Sequence, residues 1–126
     1  MCVITMSVTF DTYAWLEYFF GTPKGKSVKK IVDSGETIFT PTFGLLELKR
    51  KYLALNEEYQ TKVEFIRQRS QLVAADESIA LSAADWIHSR GLHSSDALIY
   101  ATALSKRSKL LTGDPHFRGL DDVQML

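Results

Sequence analysis

The chain has 126 residues, with 15 Lys and Arg against 15 Asp and Glu, 45% hydrophobic and 24% charged residues. That is the size of one domain, which buries roughly two-thirds of its unfolded surface without help from disulfides or a structural metal. Composition excludes disorder, a collagen-like chain and a disulfide scaffold, and balanced charge excludes a global field drawing the protein onto nucleic acid or membrane.

The lone cysteine, Cys2, has no internal partner for a disulfide and fits a cytoplasmic protein. No apolar run approaches the ~20 residues of a membrane span. Residues 1–10 lack the basic flank of a signal peptide. Residues 1–6 read as a mobile N-terminal extension, and Met6 offers a second start. The whole of 1–126 reads as one domain.

Residues 7–10 (Ser-Val-Thr-Phe) form a short β-rich strand ending at Asp11. Residues 12–20 follow as a helix stopped by Gly21-Thr22-Pro23. Residues 24–34 carry Val28, Ile31 and Val32 at helical spacing, closed by Gly35. Residues 37–40 are a second strand. Pro41 suits the first turn of a helix capped by Thr40 and running to about residue 55, with Phe43, Leu46 and Leu53 inward. A helix over 57–69 turns Tyr59, Val63 and Ile66 to one side. Residues 71–74 read as a weak third strand, 78–89 and 95–106 as two more helices, 109–112 as a fourth strand and 123–125 as a short fifth. Strands alternating with helices imply right-handed crossovers, a mostly parallel central sheet and helices on both faces, an α/β/α arrangement. Ligands of such sheets sit beyond the carboxyl ends of the strands, at the switch in strand order.

Two acids stand at that place: Asp11 after the first strand and Asp114 after the fourth. Glu47, on the helix after the second strand, and Asp96, opening the helix before the fourth, reach the same edge if strands one and four are neighbours. Each has a structural reading as well. Asp11 can cap a helix, Glu47 can pair with Lys51 one turn on, Asp96 complements a helix dipole, and Asp114 before Pro115 forms a turn. Their joint placement favours a site. Glu47 also stands among Leu45, Leu46 and Leu48, where an unpaired acid is costly. Clustered carboxylates repel unless a cation screens them, and oxygen donors without thiols suit Mg²⁺ or Mn²⁺. His88, His93 and His116 share no zinc-ligand spacing. Such an ion serves phosphodiester hydrolysis without a protein nucleophile. The chain has no G-x-S-x-G elbow, Walker A loop or G-x-G-x-x-G turn.

Four segments carry a resemblance: Phe10-Asp11-Thr12; Leu46-Glu47-Leu48-Lys49-Arg50; Ser95-Asp96-Ala97-Leu98-Ile99-Tyr100-Ala101-Thr102-Ala103; and Leu111-Thr112-Gly113-Asp114-Pro115-His116-Phe117. In this order and spacing, over essentially the whole length, the chain resembles a PIN domain of the VapC toxin type. The resemblance implies a three-layer fold with strand order 3-2-1-4-5. It implies a Mg²⁺- or Mn²⁺-dependent ribonuclease acting on RNA, usually a homodimer, silenced by a small antitoxin protein. Carried over by position, Asp11, Glu47, Asp96 and Asp114 are the metal-site acids, and Thr112 is a hydroxyl that helps order water at the metal. Two positions depart from the family's pattern: Tyr13 stands where many relatives have Ser or Asn, and His116-Phe117 where many have a further acid.

Outside the four acids, 15 positive charges face 11 negative ones. Lysine clusters at 24–30, 49–51 and 106–109 read mostly as solvated helix faces. Lys49 and Arg50, beside Glu47, are the candidates for RNA phosphate contacts. Of the eight residues 13–20, all but Glu17 are apolar, more than one buried stripe accommodates. Trp15, Tyr18 and Phe19 are therefore candidate partner contacts, against the alternative of a deeply buried helix. Two other functions remain open: a phosphoacceptor receiver-like Mg²⁺-binding domain, and a catalytically inactive PIN-like binding protein.

Overall fold

A computed structural model describes residues 7–126; the expected extension at 1–6 lies outside the described residues. The elements run β1 (Ser7–Phe10), α1 (Thr12–Phe20), α2 (Pro23–Val32), β2 (Thr37–Pro41), α3 (Thr42–Ala54), α4 (Gln60–Arg69), β3 (Gln71–Val73), α5 (Glu77–Arg90), α6 (Ser94–Ser105), β4 (Lys109–Thr112), a 3-10 turn (Pro115–Phe117) and β5 (Val123–Met125). The sheet is five-stranded and parallel throughout, in order β3-β2-β1-β4-β5. The expected α/β sheet in order 3-2-1-4-5 is thus present. A receiver-type sheet has order 2-1-3-4-5, so the phosphoacceptor alternative falls.

β1 lies at the centre, between β2 and β4, with Phe10 opposite Leu111. From β1 the chain moves outward through β2 and β3, then crosses back to β4. The crevice of the sheet therefore opens between the carboxyl ends of β1 and β4. Two apolar clusters fill the layers. One gathers Phe10, Trp15, Val28, Leu48, Tyr52 and Ile66, the other Ile79, Leu92, Ile99, Tyr100, Leu110 and Phe117.

α1 hides its aromatic surplus inside the chain. Trp15 is 1% exposed, its ring 4.8 Å from Phe10, 5.8 Å from Phe19 and 6.3 Å from Phe65 of α4. Its indole N–H donates to Thr40 Oγ1 at 3.1 Å. Trp15 is therefore core, which corrects its reading as a partner contact; α4 supplies the cover through Phe65, a residue outside the inward set expected for that helix. Tyr18 and Phe19 are half-buried in the same cluster, and only Phe20 is openly exposed. α2 crosses α1 closely enough that a Cβ on Gly25 would fall 2.1 Å from the Glu17 carbonyl oxygen. A side chain there would force the helices apart.

Three local expectations change. Pro41 ends β2 and stands at the cap position of α3, while the Thr40 hydroxyl serves Trp15 and Ser70 instead of capping. The inward line of α3 is Gly44, Leu48 and Tyr52, so Leu46 and Leu53 face outward, 54% and 58% exposed. At about 100° per residue those two leucines fall on the side away from that line. α4 begins at Gln60 rather than residue 57. Arg69 anchors its other end, donating from Nε to Val32 O at 2.7 Å and from Nη2 to Ile31, Ser34 and Glu36 carbonyls.

Candidate functional site

The strand-to-helix junction after β1 positions Asp11. Extended backbone (φ −81°, ψ −180°) lets its side chain fold over the start of α1, where Oδ1 accepts from the Ala14 amide at 2.9 Å. Oδ2 accepts a hydrogen bond from the Thr112 hydroxyl at the end of β4. Thr112 is fully buried, and its Oγ1 also accepts from the Asp114 amide at 3.0 Å. One hydroxyl thus ties the two strand ends together. By donating to Asp11 it also orients that carboxylate. Asp114 caps the 3-10 turn, its Oδ1 accepting from the His116 amide at 2.9 Å. The capping and turn readings of Asp11 and Asp114 are therefore correct, and both acids still face the crevice.

Glu47 reaches the crevice from the second turn of α3. Thr12 Oγ1 lies 3.2 Å from its Oε1 and 3.2 Å from Gly44 O. The Glu47–Lys51 ion pair of the alternative, structural reading is absent among the described residues. Asp96 enters from the first turn of α6. All four acids line one cleft of about 180 Å³, with Leu16, Ile99 and Phe117 as its apolar walls.

Burial and crowding push the acids toward their protonated forms. Asp11 is pushed up to about 7, chiefly by burial; hydrogen bonds from Thr112 and Ala14 oppose this, and the Asp114 and Glu47 charges add to it. Burial also raises Glu47 and Asp96, helped by neighbouring carboxylates and opposed by Thr12 for Glu47 and by His116 and His93 for Asp96. A cavity that makes carboxylates hold protons is one in which a cation would replace those protons. The donor set is oxygen-rich and free of thiols, which fits a hard divalent ion.

His116, which the sequence leaves as a proton donor, a phosphate contact or a plain turn residue, joins the acids. His116 Nδ1 lies 3.2 Å from Asp114 Oδ1 and 3.4 Å from Asp96 Oδ2, and donor atoms of these three residues fall within 4.8 Å of one another. The 3-10 turn places this ring, a geometry that residue spacing alone does not disclose. The basic candidates also divide. Lys49 Nζ sits 4.6 Å over the Tyr59 ring, away from the cleft. Arg50 and Lys51 instead line a second pocket of about 340 Å³ that shares Thr12, Leu16 and Glu47 with the cleft. Of the candidate pair, Arg50 lines this pocket and Lys49 does not; Lys51, outside that pair, lines it as well.

A model of the PIN domain matches residues 8–123. The chain belongs to the PIN domain family. No curated protein sequence matches it significantly. This PIN domain is similar in fold to a toxin–antitoxin complex from Klebsiella pneumoniae, at 20% identity and a TM-score of 0.79 over 94% of this chain and 96% of that one. It is similar to VapBC-1 from nontypeable Haemophilus influenzae, at 19% identity and 0.72 over 96% and 97% of the two chains. A third similar structure is Mycobacterium tuberculosis VapC20, a sarcin-ricin loop cleaving toxin, at 16% identity and 0.69 over 93% and 98%. Across the PIN fold of this chain, two acids come from the junctions after β1 and β4 and two from α3 and α6, and only the tertiary structure unites them.

Proposed function

We propose that this PIN domain is a metal-dependent endoribonuclease and the toxin of a type II toxin–antitoxin pair, working in the cytoplasm. The observation that supports this best is the convergence of Asp11, Glu47, Asp96 and Asp114 on one cleft beside a basic pocket. These acids would hold Mg²⁺ or Mn²⁺. Such an ion, when bound, polarises a phosphoryl group and makes water a competent nucleophile near neutral pH. The chain's own contribution is positional. Thr112 and the Ala14 amide fix both oxygens of Asp11, and Thr12 steadies Glu47. Arg50 and Lys51 lie where the phosphates of an RNA strand would continue beyond the cleft.

A small antitoxin protein is the expected partner, with Tyr18 and Phe19 as candidate contacts and a basic side chain entering the acidic cleft. Its inhibition should weaken as Mg²⁺ rises at constant ionic strength. A homodimer is expected as well, which light scattering tests directly. Two of the structures similar in fold are described as a toxin–antitoxin complex and as VapBC-1, and one as a sarcin-ricin loop cleaving toxin.

Purified protein should cleave single-stranded or looped RNA with Mg²⁺ or Mn²⁺ and stop on adding EDTA. Asp11→Asn, Glu47→Gln, Asp96→Asn and Asp114→Asn should each lower the rate by about 100-fold or more with the fold intact. Metal-independent cleavage, or activity surviving all four changes, would refute the mechanism. No cleavage by the unaltered protein would leave the inactive binding protein as the better reading.

A further inference from the structure

Tyr13 is the aromatic residue of α1 that joins no aromatic pair among the described residues. Trp15, Tyr18 and Phe19 pack with Phe65, and Phe20 meets Tyr52. Tyr13 instead forms part of the wall of the acidic cleft, half-buried beside Asp11 and Asp114. Its ring rests on the backbone of Gly113. A Cβ at 113 would fall 2.2 Å from Tyr13 Cε1 and 2.6 Å from Cδ1. Gly113 has no positive φ. The missing side chain therefore makes room for the ring and is not needed for the turn.

Lys24, at the start of α2, carries its ammonium 5.9 Å from the Tyr13 ring centroid. It joins no ion pair among the described residues. An aromatic ring and a cation that engages that ring but joins no ion pair among the described residues thus stand together at the rim of a cleft lined by four acids. Neither has another partner in the core, and the neighbouring glycine leaves space for the ring to lie there. Unstacked bases of single-stranded RNA are recognised by this combination: a ring to stack on and a cation for the adjoining phosphate.

We propose that Tyr13 and Lys24 form a nucleotide subsite, in which a base flanking the scissile phosphate stacks on Tyr13 while Lys24 contacts the next phosphate. The subsite rests on the ribonuclease reading and makes Tyr13 a determinant of substrate choice. Single-stranded or splayed-out nucleotides fit it; bases held within a duplex do not.

The test uses the full chain with Asp114→Asn to silence cleavage, and a short single-stranded RNA carrying a fluorescent adenine analogue. Binding should quench the fluorophore. Adding Tyr13→Ala should weaken binding about ten-fold and abolish the quenching. Tyr13→Trp should retain both, and Tyr13→Leu, which keeps apolar bulk without an aromatic face, should behave like Tyr13→Ala. Gly113→Ala should weaken binding when Tyr13 is present and add nothing to Tyr13→Ala, because its effect passes through the ring. Lys24→Ala should reduce the salt dependence of binding by about one phosphate contact. Melting curves confirm that each variant is folded. RNA binding indifferent to Tyr13→Ala would overturn the subsite alone. Absence of RNA binding by the Tyr13 protein would overturn the ribonuclease reading and the subsite with it.

Discussion

α1 and α3 flank the same cleft, and each delivers one acid to it, yet they treat their apolar residues in opposite ways. α1 is crowded with aromatic residues and packs most of them into its own chain, with Trp15 1% exposed. α3 is rich in leucine and leaves Leu46 and Leu53 more than half exposed. Apolar count does not decide burial; phase and neighbours do. α1 is covered by α2, which approaches closely through Gly25, and by Phe65 of α4. α3 buries Gly44, Leu48 and Tyr52 and packs Phe43 and Leu45 partly against the core, while its opposite side carries Leu46 and Leu53 into solvent. The acids follow the same division. Asp11 sits at the helix cap, deep against the sheet, whereas Glu47 lies on the flank of α3 and is half-buried.

The sharpest test of the buried side is Trp15→Ala. Removing a fully buried indole should cost about 3–5 kcal/mol and leave the Thr40 hydroxyl with Ser70 as its remaining partner. Denaturant unfolding measures this. A loss under about 1 kcal/mol would show that the cluster repacks without it and would return Trp15 to the list of surface candidates.

What the sequence disclosed and what it withheld divide along the same line. The strands, their parallel arrangement and the four acids were legible because each is announced locally: a β-branched run, an Asp where a strand stops, an acid in a first turn. The residues misplaced depend on contacts between distant segments. Trp15 needed Phe65, fifty residues on, to be hidden. Lys49 needed the Tyr59 ring to draw it aside, leaving Lys51 at the pocket. His116 needed a 3-10 turn to fold its ring back over Asp114 and Asp96. Leu46 and Leu53 were assigned inward by hydrophobicity alone. One residue of phase error on a helix is about 100°, enough to turn a core position into a solvent one.

The next effect separates the two acids through pH. In the metal-free protein the Asp11 carboxyl titrates at about 7 when folded against 3.8 ordinarily. Between those values the folded state binds more protons than the unfolded one, so stability falls as pH rises from about 4 to about 7. The benefit of protonation is complete below the unfolded value and gone above the folded one. Asp11→Asn abolishes that titration. In EDTA its stability should match the unaltered protein near pH 4 and exceed it near pH 8, by on the order of 2 kcal/mol. Thermal melts across pH check this. Mg²⁺ or Mn²⁺ should erase the difference by stabilising only the protein that keeps its carboxylate. A destabilised Asp11→Asn at pH 8 would mean that Asp11 is chiefly a cap for α1.

The smallest expected effect tests the exposed side. Leu53 is already 58% in water, so Leu53→Ser forfeits little burial; serine's weaker helix propensity adds only a few tenths of a kcal/mol. Stability measured at low protein concentration should therefore change by less than about 1 kcal/mol, several-fold less than for Trp15→Ala. Concentration supplies the discriminating variable. If the expected homodimer covers this face of α3, the cost of Leu53→Ser should grow with protein concentration, because the monomer leaves the leucine wet and the dimer does not. If the cost stays small at every concentration while light scattering still reports a dimer, the two copies meet elsewhere. A large cost at low concentration would break the contrast between the helices, since it would require Leu53 to be buried within a single chain.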